Sequence, residues 1–195
     1  MDHGDPARLT ALSGRRIAVG VGGGIAAYKV AGLVSTLVQA GAEVTVAMTA
    51  SAVRFVTPLT FESISGRAVY LDPWSPLDRA DPQHVRFARE LELMIVAPCT
   101  MNLLARFAVG MADDAVTLLA SVLDRSRQPT VLAPAMNEAM WRQPATQRNL
   151  RTLREDNFVV VEPTSGWHAC RSDGPGRLPE PEALVDAILA ALPTA

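Results

Sequence analysis

Four short runs of apolar residues, each followed by a segment with helical spacing, constrain the fold of this chain more than any other feature. The runs predict strands over residues 16–21, 43–48, 93–97 and 129–133. Nearly continuous apolar strands occur where both faces of a sheet are covered, and strands that alternate with helices are joined in parallel by right-handed crossovers. The pattern therefore predicts a doubly wound α/β domain built on a parallel sheet.

The remaining segments continue the same alternation. Helices are predicted over residues 25–39, 51–63, 102–122, 138–154 and 182–192, and a further helix is predicted to begin near His84. Short strands are predicted at residues 68–71 and 158–162, whereas the Pro-rich residues 73–82 and 163–181 predict loops. Residues 1–13 have no periodic pattern, so we expect a disordered extension before a single domain over residues 14–195.

Composition narrows the classes of function that the chain can have. The formal net charge is -2, and the arginines are spread along the chain, so we expect no surface for nucleic acid. No apolar run reaches the roughly 18 residues of a membrane span, and no secretory leader is recognisable, which favours a cytoplasmic protein without membrane contact. The two cysteines, Cys99 and Cys170, are too few for a disulfide framework or for a metal site made of thiolates, and no metal is expected.

Ligands of a doubly wound sheet bind at the carboxyl ends of its strands. The loop after the first strand contains Gly22, Gly23 and Gly24, whose missing Cβ atoms allow backbone N–H groups to approach an anion at a helix N-terminus. A tight turn without any ligand explains these glycines equally well. Thr49 and Ser51 follow the second strand, where their hydroxyl groups either contact the same ligand or cap the next helix.

Several segments at this edge resemble, in the same order, the signature segments of one enzyme family. Residues 134–141 read Pro-Ala-Met-Asn-Glu-Ala-Met-Trp, residues 20–29 read Gly-Val-Gly-Gly-Gly-Ile-Ala-Ala-Tyr-Lys, and residues 110–114 read Gly-Met-Ala-Asp-Asp. They resemble segments of the flavin-containing cysteine decarboxylases, which include phosphopantothenoylcysteine decarboxylase and the peptidyl-cysteine decarboxylases of lantibiotic and thioamide-peptide biosynthesis. The resemblance covers about residues 15–181 and implies a Rossmann-like flavoprotein domain.

The resemblance implies a bound flavin, FMN with FAD as the alternative, held by several loops. The residues implied to bind it are Gly22, Gly23, Gly24, Ile25, Thr49, Ser51, Pro98, Cys99, Thr100, Asn102, Asp113 and Met136. Gly22 stands where relatives often carry Ser or Thr, which would remove one hydroxyl contact to the flavin phosphate. Without the resemblance, a solvated pair of carboxylates is the favoured interpretation of Asp113 and its neighbour Asp114.

His84 is the strongest catalytic candidate. An imidazole can change its protonation state near neutral pH, and His84 lies at a predicted helix start beside a polar loop. Its position fourteen residues before Pro98 matches that of the active-site histidine in the family. The resemblance implies a base or a group that orients the substrate carboxylate, whereas a surface or capping histidine is the alternative.

The resemblance also implies residues that hold the substrate. Asn137 would anchor a carboxylate or carbonyl group together with Met140, although an Asx turn or a helix cap explains an asparagine there equally well. Residues 166–178 resemble the mobile substrate clamp of the family, in which Ala169 and Cys170 contact the substrate. Cys170 would donate a proton to the enethiol intermediate where that intermediate is re-reduced.

The implied reaction is the oxidative decarboxylation of a terminal cysteine to an aminoenethiol. Oxidation of the Cα–Cβ–S unit by the flavin creates an electron-accepting carbon beside the carboxylated one. Cys170 favours phosphopantothenoylcysteine and thus coenzyme A biosynthesis. The altered residues Gly22, Cys99, Met101 and Arg171, and a sequence without a ligase domain, slightly favour the C-terminal cysteine of a ribosomally made peptide natural product.

The resemblance further implies a homotrimer or a homododecamer. Two other functions stay open on the sequence. One is a flavin-binding protein without decarboxylase activity, such as a prenylated-flavin synthase. The other is a nucleotide-binding regulatory domain that uses only the glycine loop at residues 22–24.

Overall fold

The computed structural model describes residues 9–74, 83–167 and 173–193, and it confirms the parallel sheet. Five strands lie in the order β2-β1-β3-β4-β5, and all of their pairings are parallel. The strands are β1 Arg16–Val21, β2 Glu43–Met48, β3 Leu93–Cys99, β4 Thr130–Pro134 and β5 Val159–Val160. Because the chain turns to opposite sides after β1 and β3, a crevice is expected at the carboxyl ends of these neighbouring strands.

Helices cover both faces of the sheet. They are α1 Ala27–Gln39, α2 Pro58–Ser65, α3 Gln83–Glu90, α4 Met101–Ala108, α5 Ala115–Ser121, α6 Glu138–Trp141, α7 Pro144–Glu155 and α8 Pro181–Ala191. Along β3, Ile95 contributes to a core shared with α1 and α8, whereas Val96 contributes to a core shared with α4, α5 and α7. Both faces of each central strand are therefore buried, which explains the continuous apolar runs.

Three predicted helices are interrupted, and each interruption has a local cause. The helix expected over residues 51–63 is a 3-10 turn at Ala52–Arg54 followed by α2, which begins at Pro58. The helix expected over residues 102–122 divides into α4 and α5, with Gly110 at a φ of 71° between them. Pro144 begins α7 and separates it from α6, because proline is accepted only in the first turn of a helix.

The predicted edge strands are shorter than expected. In place of a strand at residues 68–71, only Tyr70 pairs with β2, where its N–H donates to the Val46 carbonyl at 2.8 Å and its carbonyl accepts from Met48 at 3.0 Å. Strand β5 covers two residues instead of the five expected over residues 158–162. Few partners are available at the edge of a sheet, so strand pairing ends early there.

Two segments that were predicted to lack regular structure need correction. Residues Thr10–Leu12 form a 3-10 turn and the Leu12 side chain is fully buried, so packing begins before residue 14. The segment at residues 163–181, expected to be a loop, contains an antiparallel hairpin of β6 Thr164–Trp167 and β7 Asp173–Arg177. Among the described residues, no helix has the length and apolar character needed to cross a bilayer.

Candidate functional site

A cleft of about 930 Å³ opens at the carboxyl edge of the sheet, within the range of small-molecule and cofactor sites. The loops after β1, β2, β3 and β4 line it, together with the base of the hairpin. The cleft brings together most of the residues proposed from the sequence. They are Gly23, Gly24, Ile25, Thr49, Ser51, Pro98, Thr100, Asn102, Asp113, Met136, Asn137 and Met140.

Gly22 differs from the expectation because it is buried and does not line the cleft. A Cβ atom there would overlap the Pro98 carbonyl oxygen and would lie 2.8 Å from Leu103 Cδ1. A Cβ on Gly23 would likewise overlap the side chain of Ser51. Glycine at these positions therefore allows the loop after β1 to pack directly on the loops after β2 and β3, and a serine at position 22 would require the backbone to move.

Cys99 also lies behind the cleft wall rather than in it. Its side chain is fully buried as the last residue of β3 and packs in the core shared with α4 and α5. Burial raises the pKa of the Cys99 thiol well above its usual range, because a thiolate there would lose its solvation. A buried neutral thiol of this kind is chemically inert and contributes to packing.

Three polar side chains of the cleft cap local backbone groups. Asn137 caps α6, where its Oδ1 accepts from the Met140 N–H at 2.9 Å. Thr100 caps α4 by accepting from the Leu103 N–H at 3.3 Å, and Thr49 accepts from the Ala52 N–H at 3.2 Å. The Nδ2 group of Asn137 donates to no described residue, so the cap orients the side chain and leaves two N–H donors available at the cleft.

The hairpin base is attached beside Asn137. The Met136 N–H donates to the Gly176 carbonyl at 2.9 Å, which joins the loop after β4 to β7. A Cβ on Gly174 would lie 2.6 Å from Glu138 Oε2, so β7 also passes close to α6. The clamp residues Ala169 and Cys170 lie outside the described residues.

His84 is not brought to the cleft of its own chain. It is half-buried in α3, a helix that packs through Phe87 against the core on the opposite side of the sheet from α1. The described residues that line the cleft do not include it. The fold of a single chain therefore does not join His84 to Asn137.

Four charged residues of the cleft were not assigned a binding role from the sequence. Lys29, Arg106, Asp114 and Arg177 line the cleft beside the proposed residues. The sequence holds a signal for Lys29, because it follows the glycine loop closely and lies in the first turn of the next helix. No local pattern identifies Arg106, which reaches Asp113 and Asp114 across the turn between α4 and α5.

Glu180 links two of these cations. Its Oε1 atom lies 2.8 Å from Lys29 Nζ and 2.5 Å from Arg177 Nη2. The hydrogen bond from Lys29 lowers the pKa of Glu180, and the positive charge of Arg177 acts in the same direction. In the part of the chain that the structure describes, no group of three metal-ligating side chains occurs.

Sequence comparison shows the family to which this chain is similar. The model of the family named Flavoprotein matches residues 7–192. The coenzyme A biosynthesis bifunctional protein CoaBC of Bacillus subtilis (strain 168) is 44% identical over 174 residues, which are 89% of this chain and 42% of that protein. The chain thus spans less than half the length of that curated relative.

Two solved structures of similar proteins align with this chain over nearly the full length of both chains. The FMN-dependent cysteine decarboxylase SpaF is 32% identical with a TM-score of 0.78, over 92% of this chain and 98% of that one. A mutant PPC decarboxylase complexed with pantothenoylaminoethenethiol is 28% identical with a TM-score of 0.82, over 90% and 96% of the two chains. TM-scores of this size show that both structures share the α/β fold of this chain.

Proposed function

The chain belongs to the Flavoprotein family, and from that premise we propose that it decarboxylates the cysteine of phosphopantothenoylcysteine with FMN as its cofactor. The observation that carries the proposal is the cleft, where Asn137 presents free amide donors beside the glycine loop. Similarity to CoaBC and to a PPC decarboxylase supports this substrate better than the peptide that the sequence slightly favoured.

The residues present in the cleft fit FMN. The cleft volume of about 930 Å³ accommodates a ligand of the size of FMN, and the cleft wall at Gly23 carries no side chain. Ile25 and Met136 offer apolar contacts for an aromatic ring system. The hydroxyl groups of Thr49 and Ser51, next to the first turn of α1, offer donors for a phosphate or ribityl chain.

When bound, FMN supplies the oxidation of the cysteine Cα–Cβ–S unit that makes loss of the carboxylate feasible. The protein's task is to orient the substrate and to control its protons. Asn137 Nδ2 would donate to the substrate carboxylate, since its Oδ1 is already engaged in the α6 cap. Met140 lines the same wall and would contact the substrate's carbon chain.

A homo-oligomer would complete the site. Ile25 and Tyr28 at the cleft rim are 59% and 62% exposed, an unusual position for large apolar side chains unless another surface covers them. In a homotrimer or a homododecamer, His84 of one copy would then reach the cleft of the next copy. There it would act as the base or orient the carboxylate, as proposed from the sequence.

The peptide substrate remains a second candidate for one specific reason. SpaF, a cysteine decarboxylase, is 32% identical over nearly its whole length, a higher identity than that of the PPC decarboxylase structure. Because the cleft is open to the surface, it would also accept the C-terminal residue of a longer chain.

Mass spectrometry of the two reactions tests the proposal. The purified flavin-loaded protein is incubated separately with phosphopantothenoylcysteine and with a peptide that ends in cysteine. We expect loss of carbon dioxide alone from the pantothenoyl compound, which indicates a complete oxidation and re-reduction cycle. Loss of carbon dioxide together with two hydrogens from the peptide alone would establish the second candidate, and no loss from either substrate would refute both.

A further inference from the structure

Two cations in the cleft wall share a single carboxylate oxygen. Lys29 Nζ and Arg177 Nη2 both contact Oε1 of Glu180, so two positive charges are balanced by one negative charge. Lys29 and Arg177 line the cleft, whereas Glu180 is not among the described residues of its lining. The two positive charges therefore line the cavity, whereas the carboxylate that they share does not.

Three separate elements build this cluster. Lys29 is in the first turn of α1, Arg177 ends β7, and Glu180 is the residue before α8. The Lys29 side chain is only 13% exposed, so its ammonium group has little freedom to leave the cluster. Preformed geometry of this kind reduces the entropy lost when a ligand binds.

A glycine makes room for the arginine. The Arg177 side chain crosses Gly166 on the neighbouring strand β6, where an added Cβ would lie 3.3 Å from Nη1. The backbone at Gly166 has a φ of 154°, a value that residues other than glycine rarely adopt. The hairpin thus leaves an open path along which the guanidinium group reaches Glu180.

Arg106, another cation of the cleft, is surrounded by more negative than positive charge. Arg106 pairs with Asp113 and lies 3.3 Å from Asp114 Oδ2, so one positive charge is shared by two carboxylates. An anion would be repelled there and attracted to the Lys29 and Arg177 pair. The cleft therefore has one positive and one negative region, each defined by side chains that line it.

We propose that Lys29 and Arg177, held in place by Glu180, bind a phosphate monoester inside the cleft. An ammonium group carries three N–H donors and a guanidinium group carries five, so most of their donors remain free after each has paired with Glu180. Both FMN and phosphopantothenoylcysteine carry a phosphate monoester. The inference rests on the proposed function and deepens it, because a peptide substrate would offer no phosphate to this pair.

Binding measurements without turnover test the pair. Calorimetry of the flavin-loaded protein compares phosphopantothenate with pantothenate, and fluorescence titration of the flavin-free protein compares FMN with riboflavin. The variants are Lys29→Met and Arg177→Met, with Lys29→Arg to restore the charge. Arg142→Met is the matched control, because Arg142 is 70% exposed, pairs with Glu138 and does not line the cleft.

We expect the wild type to prefer the phosphorylated member of one ligand pair by tenfold or more. Each Met variant should lose about tenfold of that preference, because a charge-assisted hydrogen bond is removed, while Arg142→Met and Lys29→Arg retain most of it. The ligand pair that responds identifies the source of the phosphate as substrate or flavin. Unchanged preferences for both pairs in both Met variants would overturn the inference.

The outcome is separable from the proposed function. A protein that binds phosphopantothenate through Lys29 but decarboxylates neither cysteine compound would overturn the function and leave the phosphate pair intact. If Lys29→Met does not fold, Arg177→Met still tests the pair, because the Arg177 side chain is 41% exposed and its loss leaves no cavity. Circular dichroism of each variant verifies folding before the titrations.

Discussion

Carboxylates pair with basic side chains at both edges of the sheet, but the number of cations on each carboxylate differs. At the amino edge, Glu92 accepts one hydrogen bond from Arg15 and one from the Arg16 backbone N–H, both at 2.8 Å. At the carboxyl edge, Glu180 pairs with Lys29 and Arg177 together, beside an open cleft. One carboxylate therefore matches one cation around Glu92, whereas a cation is left in excess around Glu180.

The difference teaches how one fold separates stability from binding. Where donors and acceptors satisfy each other, as around Glu92, the contacts hold strand ends in register and leave nothing for a ligand. Where caps use only part of a side chain, as at Asn137, the remaining donors face the cleft. The carboxyl edge is therefore expected to lose function readily and the amino edge to lose stability alone.

Matched glycine substitutions should give the largest contrast between the edges. Gly22→Ala forces a Cβ against the Pro98 carbonyl, so we expect a loss of about 3 kcal/mol in the free energy of unfolding and loss of bound flavin. Gly14→Ala, at the amino edge, meets open space and only strains a φ of 73°, at a cost of about 1 kcal/mol. Urea denaturation and flavin absorbance measure both effects, and equal destabilisation would contradict the packing argument.

Variants of Asn137 should separate the role of its Oδ1 atom, which caps α6, from that of its Nδ2 donors, which are available at the cleft. Asn137→Asp keeps the oxygen that caps α6 but removes the Nδ2 donors, so stability should hold while the decarboxylation rate falls about 100-fold. Asn137→Ala should lose that rate and also about 1 kcal/mol of stability, because the cap is removed. Steady-state kinetics and thermal melts of both variants measure the two effects. Full activity in Asn137→Asp would show that only the cap matters.

Glu92→Gln tests the ion pair of Arg15 and Glu92 at the amino edge through the pH dependence of stability. Burial raises the pKa of Glu92, but the hydrogen bonds from the Arg16 backbone and the Arg15 side chain outweigh it and lower the pKa overall. A lowered folded-state pKa contributes stability above the unfolded pKa and loses it as the pH falls through the folded value.

The wild type should therefore exceed Glu92→Gln by about 1 kcal/mol at neutral pH, and the difference should disappear as the pH falls below about 4. Denaturation midpoints across this pH range measure the trend. Decarboxylation activity should not change, because Glu92 is remote from the cleft lining. A difference that persists at low pH would indicate a packing effect of the substitution in place of the ion pair.

An exposed ion pair away from the cleft should show the smallest effect. Arg154 contacts Glu162, and their side chains are 44% and 65% exposed. Solvent screens such a pair, so Arg154→Met should change the free energy of unfolding by less than about 0.5 kcal/mol. Urea denaturation at low and high salt measures it, and a loss comparable to that of Glu92→Gln would mean that exposure does not distinguish the two pairs.

Much of the candidate site was predictable because loops after parallel strands meet at one edge. Thr49, Thr100 and Asn137 each follow a predicted strand, and all three line the cleft. Cys99 does not line the cleft, because β3 continues through that residue and its side chain is buried in the core. His84 lies in a helix on the far layer, and a strand-end argument cannot place such a residue.

The sequence by itself determined the alternation of strands and helices and the points at which helices begin. These features depend on short-range causes, such as the period of apolar residues and the missing N–H of Pro58 or Pro144. Only the tertiary structure decided which loops touch. Gly22 is needed because Pro98 packs on it, and Lys29 meets Glu180 across 151 positions of the chain. Periodicity specifies which face of an element is buried, but the neighbours of each loop depend on how the whole sheet is stacked and twisted.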